Sequence, residues 1–278
     1  MLGKVVKKNA NQFLVNGHWC VARGNLKDQG IFVGDDVVCD DRENVIEKVC
    51  ERKNVLVRPP IANIDKMIIV IAPVPKPDFL LIDKLLIFCE KNEIIPVICV
   101  NKCDILDKTL KNQIISIYSN IAKIIMTSAK NDDCKELASQ IKGVCTFAGQ
   151  SAVGKSSLIN ALHGQDVEQV GDLAKKVERG KQTTRMVSLY KLGKDDYIAD
   201  TAGFSKLDEG LLDIDERKLA NYYPDFVPYL NDCEYSSCTH TKEKKCGIAA
   251  AAKRGDIALV RYENYLKLYD AIKERRRK

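Results

Sequence analysis

The chain has 278 residues, of which 45% are hydrophobic and 29% charged, a composition typical of a soluble globular protein. Its length allows two or three domains with separate cores. No apolar run reaches the ~18 residues of a membrane-spanning helix, and the N-terminal segment lacks the apolar core and small-residue cleavage site of a signal peptide. We therefore expect a cytoplasmic protein without a membrane partner.

Basic residues and cysteines are the two notable features of the composition. The net charge is +6, and basic residues concentrate in Lys273–Lys278 and Lys175–Arg185. Charge alone fits a solvated surface and a polyanion contact equally well. The 11 cysteines are expected to be reduced thiols or metal ligands, because disulfides are rare in the cytoplasm.

Residues 1–62 show the pattern of a small β domain. Turn signals such as Asn16-Gly17 and Val33-Gly34-Asp35 separate short runs of alternating hydrophobicity. These runs are Gly3–Val6, Asn11–Val15, Trp19–Arg23, Asp36–Cys39 and Val45–Val49. They suit an oligonucleotide-binding-type β-barrel, and a β-barrel that binds no ligand fits equally well. We expect Arg58-Pro59-Pro60 to end the domain, because two prolines cannot continue a strand ladder.

Residues 63–222 alternate apolar strands with helical patterns, which predicts an α/β domain with a largely parallel sheet. Helices are expected at Phe79–Asn92 and Ser156–Leu162. The predicted strands are Met67–Ala72, Ile94–Val100, Lys123–Thr127, Val144–Ala148 and Tyr197–Ala199. Residues 223–278 follow as a third domain, in which a Cys/His cluster precedes helices at Ile248–Arg254 and Ile257–Arg277, separated by Gly255-Asp256.

The segment 149–156 fits the phosphate-binding loop GxxxxGK[ST], after a predicted strand and at the start of a predicted helix. Its glycines allow backbone N–H groups to surround a phosphate, while Lys155 is expected to reach the β/γ oxygens and Ser156 to bind Mg²⁺. The predicted nucleotide-binding residues here are Gly149, Gln150, Ser151, Ala152, Val153, Gly154, Lys155, Ser156 and Ser157.

Two further segments are expected to act on the γ-phosphate side. Asp200 and Gly203 form a DxxG motif after a strand, where the carboxylate would hold Mg²⁺ through water and the Gly203 N–H would face the γ-phosphate. The polar loop between the two phosphate motifs carries adjacent threonines, one of which is expected to contact Mg²⁺. We favour Thr184, with Thr183 as the second choice.

Two motifs after strands predict that the base is guanine. In Asn101-Lys102-Cys103-Asp104 (NKxD), the Asp104 carboxylate can accept hydrogen bonds from guanine N1–H and the 2-amino group, donors that adenine lacks. Lys102 would pack along the base. Ser128-Ala129-Lys130 (SAK) would offer a backbone N–H to the base oxygen. The expected ligands are therefore GTP or GDP with Mg²⁺.

The order of these motifs predicts a circularly permuted GTPase domain. NKxD precedes the phosphate-binding loop here, whereas it follows that loop in an ordinary GTPase. A sheet whose termini lie close together tolerates such a relocation, because every strand keeps its neighbours. As a consequence, the chain leaving DxxG leads directly into the Cys/His domain, so a nucleotide-dependent movement there is expected to reach that domain.

Four side chains with metal-ligand chemistry lie close together in the C-terminal domain: Cys233, Cys238, His240 and Cys246. Three thiolates and one imidazole complete a tetrahedral site without a water position, as structural zinc requires. The alternative is a set of buried free cysteines near a surface histidine. We expect one structural Zn²⁺.

Across nearly its whole length the chain resembles the bacterial ribosome small subunit-dependent GTPases. The resemblance rests on the permuted NKCD, SAK, GQSAVGKSS, TTR and DTAG motifs, on Arg58-Pro59, and on the CEYSSCTHTKEKKC cluster with Arg261-Tyr262 after it. It implies an oligonucleotide-binding barrel, a permuted GTPase and a zinc-binding helical domain. It also implies late maturation of the small ribosomal subunit, contact with ribosomal RNA, and GTP hydrolysis stimulated by the subunit. We expect a monomer.

Phe204 stands where Ras-like enzymes place a water-orienting glutamine, so intrinsic turnover is expected to be slow. Two alternatives to a ribosome assembly factor share the same motifs. One is a GTPase of another RNA or translation process, and the other is an RNA-binding scaffold that holds GTP without hydrolysing it.

Overall fold

A computed structural model describes residues 1–26, 30–40, 42–57, 59–131, 133–166, 187–200 and 213–276. Within these ranges the chain forms an N-terminal barrel, a central α/β sheet and a C-terminal helical region. None of the helices in these ranges combines the length and hydropathy that crossing a bilayer requires.

The N-terminal barrel consists of five strands, as the sequence predicted. They are β1 (Leu2–Asn9), β2 (Gln12–Val15), β3 (His18–Ala22), β4 (Asp36–Asp40) and β5 (Val45–Val49). The strands pair in the order β1-β2-β3-β5-β4, and β1 also pairs with β4, which closes the barrel. Alternation of buried and exposed residues follows the pleat, because one face of each strand lines the barrel core.

The turn Val33-Gly34-Asp35, just before β4, packs the barrel against the segment that follows β5. Gly34 has φ of +94°, and a Cβ atom there would lie 2.1 Å from Ala62 O, so only glycine allows this close approach. Asp35 is fully buried and accepts hydrogen bonds from Arg52 Nε at 2.6 Å and from Phe32 N–H at 2.8 Å. The ion pair fixes residues after β5 against the barrel.

The premise that Pro59-Pro60 cannot continue a strand ladder is wrong at Pro60. A hairpin forms there from β6 (Val55–Val57) and β7 (Pro60–Ala62), with Val57 opposite Pro60. The ladder tolerates Pro60 because it is the first residue of a strand in a two-stranded sheet, where its missing N–H leaves no broken bond in the interior. The boundary at 62/63 stays a prediction.

Six strands form the central sheet, in the order β10-β9-β8-β11-β13-β12. They are β8 (Lys66–Ile71), β9 (Ile95–Val100), β10 (Lys123–Met126), β11 (Val144–Ala148), β12 (Ser188–Lys191) and β13 (Tyr197–Asp200). All neighbours are parallel except β12 and β13. Although β11 follows β10 in the chain, the two strands are not neighbours. In the sheet β11 lies between β8 and β13, and β8 and β9 separate it from β10.

The barrel and the central sheet share one hydrogen-bonded ladder, because β1 pairs with β12 at Lys7 and Ser188. The sequence analysis did not predict β12. Only Leu189 of its four residues is buried, so the strand does not form the continuous apolar run on which the other strands were predicted.

Helices cover both faces of the sheet and form the C-terminal region. They are α1 (Phe79–Lys91), α2 (Lys108–Tyr118), α3 (Lys135–Gln140), α4 (Lys155–Asp166), α5 (Gly247–Arg254) and α6 (Leu259–Arg276). Asp78 caps α1 by accepting a hydrogen bond from Leu81 N–H, and Asp107 caps α2 by accepting one from Leu110 N–H. Gly255, with φ of +87°, ends α5 as predicted. The last helix starts at Leu259, not at Ile257.

A buried ion cluster packs α6 against α1. The Arg261 guanidinium is 1% exposed and donates to Asp83 Oδ1 at 2.6 Å and to Asp225 at 2.6 and 3.0 Å. Asn264 Nδ2 and the Tyr118 hydroxyl also donate to Asp83. Burial raises the pKa of Asp83, and the positive charge of Arg261 opposes that rise.

Candidate functional site

The phosphate-binding loop lies between the end of β11 and the first turn of α4, the position predicted for it. Gly149 has φ of +126°, and a Cβ there would lie 2.1 Å from Val70 O. Gly154 has φ of +96°, and its Cβ would lie 2.3 Å from Asn101 Nδ2. The two glycines of the motif are therefore required by close backbone approach as well as by their left-handed conformation.

Lys155 lies over this loop. Its Nζ donates to Gly149 O at 2.9 Å and to Gln150 O at 2.5 Å. Burial lowers the pKa of Lys155, and an anion beside the ammonium group would oppose that shift and be favoured there. Ser156 and Ser157 follow in the exposed first turn of α4, where backbone N–H groups and helix dipole favour a phosphate.

Ala152 adopts the left-handed conformation, with φ of +64°. This conformation costs a residue with a Cβ about 1–2 kcal/mol relative to glycine. Sequence reasoning did not detect this strain, because the motif places no restriction on that position.

Asn101 connects the base-reading loops to the phosphate-binding loop. It is 2% exposed; its Nδ2 donates to Val153 O at 2.9 Å, and its Oδ1 accepts from Ala129 N–H at 3.2 Å. Thus the first residue of NKxD contacts both the SAK segment and the phosphate loop. Of the SAK backbone N–H groups, one of which was expected to contact the base oxygen, that of Ala129 donates to Asn101 in this structure.

Lys102 and Asp104 complete the base side of the site. Lys102 is left-handed, with φ of 59°, and its Nζ donates to Ala152 O at 2.9 Å. Asp104 Oδ1 accepts from Ser128 Oγ at 2.6 Å, and this bond lowers the pKa of Asp104. Lys130 lies near enough for its charge to lower that pKa further. The carboxylate is solvent-exposed and ionised at neutral pH, as an acceptor for guanine donors must be.

The side chain of Gln150 has a role that the motif did not reveal. Its Oε1 accepts from Asp78 N–H at 3.0 Å, and its Nε2 donates to Lys76 O at 3.2 Å. The phosphate-binding loop is thereby connected to the N-terminus of α1. Position 150 is variable in the motif, so only the structure identifies this contact.

Several predicted site residues lie outside the described ranges or lack a described side chain. Thr183, Thr184 and Gly203 fall in residues 167–186 and 201–212, and so do Phe204 and the basic segment 175–185. Asp200 ends β13 beside β11, but only its backbone is described. Their roles stay predictions.

The four predicted metal ligands come together. One ligand atom from each of Cys233, Cys238, His240 and Cys246 lies within 4.8 Å of all the others. His240 Nδ1 lies 3.4 Å from Cys233 Sγ and 3.5 Å from Cys246 Sγ, and the two sulfur atoms are 4.0 Å apart. Zn–S bonds of ~2.3 Å in a tetrahedron place neighbouring ligand atoms about 3.5–3.8 Å apart, so the cluster fits zinc.

Surrounding groups hold the ligand loop in place. Gly247 N–H donates to Cys233 Sγ at 3.3 Å, and Ala249 N–H donates to Cys246 Sγ at 3.4 Å. These donors stabilise thiolates, the form that binds a metal. Glu243 accepts from the backbone N–H of Thr239 at 2.8 Å. Although burial raises its pKa, such donors hold the pKa of Glu243 at about 2.

Comparison with known proteins identifies the family. The model of the RsgA GTPase family matches residues 49–209, and the "Small ribosomal subunit biogenesis GTPase RsgA" of Ruminiclostridium cellulolyticum is 40% identical over 87% of this chain and 80% of that protein. The chain belongs to the RsgA GTPase family. The crystal structure of YjeQ from Thermotoga maritima, at 35% identity, superposes with a TM-score of 0.83 over 98% of both chains.

A second solved structure of the family, YloQ, is described as a circularly permuted GTPase. It is 30% identical, with a TM-score of 0.80 over 99% of this chain and 95% of that one. Together with the position of β11 between β8 and β13, this confirms the permutation predicted from motif order. The chain is a circularly permuted GTPase of the RsgA family.

Proposed function

We propose that this RsgA-family chain hydrolyses GTP while acting in small ribosomal subunit biogenesis, in contact with ribosomal RNA, and that the subunit accelerates turnover. The observation that carries the proposal is the convergence of NKxD, SAK and phosphate loop on Asn101, in a family whose curated members are named small ribosomal subunit biogenesis GTPases. We propose the cytoplasm as its location and a monomer as its form.

Guanine selection is assigned to the base side of the site. Asp104, oriented by Ser128 Oγ, accepts from the two guanine donors, and the SAK backbone contacts the base oxygen once Ala129 N–H exchanges its bond to Asn101. Adenine in this place would leave an unpaired carboxylate, which costs about 1–3 kcal/mol or more for a charged group.

The phosphate side supplies charge for catalysis. The transferring phosphoryl group is bound by Lys155 and by the α4 N-terminus. On binding it, Lys155 exchanges its hydrogen bonds to Gly149 O and Gln150 O for bonds to phosphate oxygens. Ser156, Thr184 and Asp200 would hold Mg²⁺, which when bound neutralises charge on the β- and γ-oxygens. Electrostatic stabilisation of this kind is the main contribution of a GTPase site.

The zinc cluster fixes the C-terminal domain as one folded unit beside the GTPase. We propose that this domain, its basic C-terminal segment and the barrel together contact ribosomal RNA. Contacts to phosphates release counterions, so this part of the affinity falls as salt rises.

Affinity for purified small subunits, measured by co-sedimentation, tests the proposal. A non-hydrolysable GTP analogue should increase binding relative to GDP, because coupling between two sites acts in both directions. Lys155→Ala should remove the nucleotide effect and leave basal RNA affinity largely unchanged. Subunit affinity that is the same with analogue, GDP and no nucleotide contradicts the proposal and favours another RNA process or a scaffold.

A further inference from the structure

A continuous series of contacts leads away from the phosphate-binding loop and does not use the DxxG segment. It starts at Gln150, whose side chain accepts from Asp78 N–H at 3.0 Å and donates to Lys76 O at 3.2 Å. Both partners belong to the loop 73–78 that precedes α1. A glutamine can make these two bonds together because its amide offers one acceptor and two donors.

The base side of the nucleotide site contacts the same loop. Lys102 Nζ donates to Ala152 O in the phosphate-binding loop at 2.9 Å and to Val74 O at 2.7 Å. The loop 73–78 is therefore held by a residue of the phosphate motif and by a residue of the base motif. A change in either motif alters the hydrogen bonds that position it.

The loop continues directly into α1, which contacts the C-terminal domain through a buried charge. Asp78 is the N-cap of α1 and accepts from Leu81 N–H at 3.1 Å. One helical turn later, the fully buried Asp83 accepts from Arg261 at 2.6 Å and from Asn264 at 2.8 Å. Because a buried ion pair of this kind does not tolerate displacement, α1 and α6 are expected to move together.

Next to Arg261 and Asn264, in its first two turns, α6 also contacts the metal-ligand loop. The Tyr262 hydroxyl donates to His240 O at 3.0 Å, and the Tyr265 hydroxyl donates to Thr239 O at 2.7 Å. His240 is left-handed, with φ of 58°. The backbone at a metal ligand is therefore oriented by two side chains of the helix that carries Arg261.

We propose that Gln150 is a positioning residue that couples nucleotide binding to the zinc domain through the loop 73–78, α1 and α6. This inference rests on the proposed nucleotide site. It adds a route to the one expected through the DxxG segment. The route carries a signal because Lys155, the residue assigned to the phosphates, donates to Gln150 O. Phosphates attract that ammonium group, release the carbonyl and change the constraint on the residue whose side chain holds α1.

Spatial continuity is not by itself evidence of energetic coupling, so the experiment measures a nucleotide-dependent difference. Hydrogen–deuterium exchange of the full-length, zinc-loaded protein is followed by mass spectrometry with and without saturating GDP. In the parent, GDP should slow exchange in residues 239–246 and 259–265 by about five-fold or more, the lower end of typical allosteric coupling. GDP affinity is measured separately by titration with a fluorescent analogue.

Gln150→Met keeps the length of the side chain and removes both hydrogen bonds. Each variant is compared with and without GDP at a concentration that saturates it by its own titration, and we expect Gln150→Met to lose the GDP-dependent protection at 239–246. Gln140→Met is the matched control. Within the described residues the Gln140 side chain forms one hydrogen bond, to its neighbour Ser139 Oγ, so this variant should retain the full effect. A purely structural role would change exchange equally with and without GDP.

Tyr262→Phe tests the far end of the route and decides the outcome if Gln150→Met binds GDP poorly. It should bind GDP normally, keep protection at 259–265 and lose it at 239–246. The coupling is overturned if these variants keep the GDP-dependent protection of the parent at 239–246, or if the parent binds GDP and shows no such protection. Either result leaves the proposed function intact. Failure of the parent to bind GDP overturns both.

Discussion

Replacing Arg261 with methionine should strongly destabilise the packing of the C-terminal helices on the GTPase. The guanidinium, 1% exposed, makes hydrogen bonds of 2.6, 2.6 and 3.0 Å to Asp83 and Asp225 and lies 4.7 Å from the centroid of the Tyr223 ring. Removing one partner of a buried ion pair costs about 3–5 kcal/mol, because the remaining charge is left uncompensated. Methionine replaces part of the lost packing, so we expect a loss of about 3–4 kcal/mol in the free energy of unfolding.

The loss should depend on pH with a defined sign. Burial already raises the folded-state pKa of Asp83, and the arginine lowers it; without the arginine it rises further. A carboxyl whose folded pKa exceeds its unfolded value of ~3.9 binds a proton more tightly in the folded state. The stability of Arg261→Met should therefore fall as pH rises from ~4 through the raised pKa, and its deficit against the parent should be smaller at pH 5 than at pH 8.

Urea unfolding followed by circular dichroism measures both effects. Arg261→Lys is the matched control: it keeps the charge, loses the two-point contact with Asp225 and should lie between parent and methionine variant. The double variant Asp83→Leu/Arg261→Met should lose less than the sum of the single changes, because no buried charge is left at position 83. A methionine variant within about 1 kcal/mol of the parent at pH 8 would refute this interpretation of the cluster.

Three further outcomes can be checked on single variants. Tyr223→Phe should unfold at the same urea concentration as the parent or a higher one, since the buried Tyr223 hydroxyl has no hydrogen-bond partner within the described residues; Tyr265→Phe, which loses the bond to Thr239 O, should cost about 0.5–1.5 kcal/mol, and the reverse order would contradict the assignment. Asp104→Asn should lose GTP affinity and gain affinity for xanthosine nucleotides in competition titrations; unchanged preference would disprove the role of NKxD. Cys238→Ala should lose zinc by elemental analysis and unfold the C-terminal domain, because structural zinc contributes about 10–16 kcal/mol of apparent binding energy; a well-folded, zinc-free variant would show that the cluster is not structural.

The sequence was sufficient for the parts of the fold in which local pattern and burial agree. Strands such as Val144–Ala148 appear as continuous apolar runs because both of their faces are covered. The metal cluster was predictable because its ligands are close in sequence. In contrast, β12 has only four residues, of which only Leu189 is buried, and one of its pairing partners, β1, is distant in the chain.

The contacts between domains were the least predictable feature. Arg261 and Asp83 are separated by 178 positions, and neither residue type indicates burial, since charged side chains are normally exposed. The side-chain amide of Gln150 likewise bonds to the loop 73–78 and not to a residue of its own motif. Side chains that connect remote elements carry no local periodicity, so structure is required to find them.

The rate of GTP hydrolysis with and without purified small ribosomal subunits tests the central claim most directly. We predict slow release of phosphate by the protein alone and a much faster rate with small subunits, with no comparable effect of large subunits. Lys155→Ala should remain inactive under every condition. An unchanged rate with small subunits, in a protein shown to bind GTP and to contain zinc, would contradict the proposal that the small subunit is its partner.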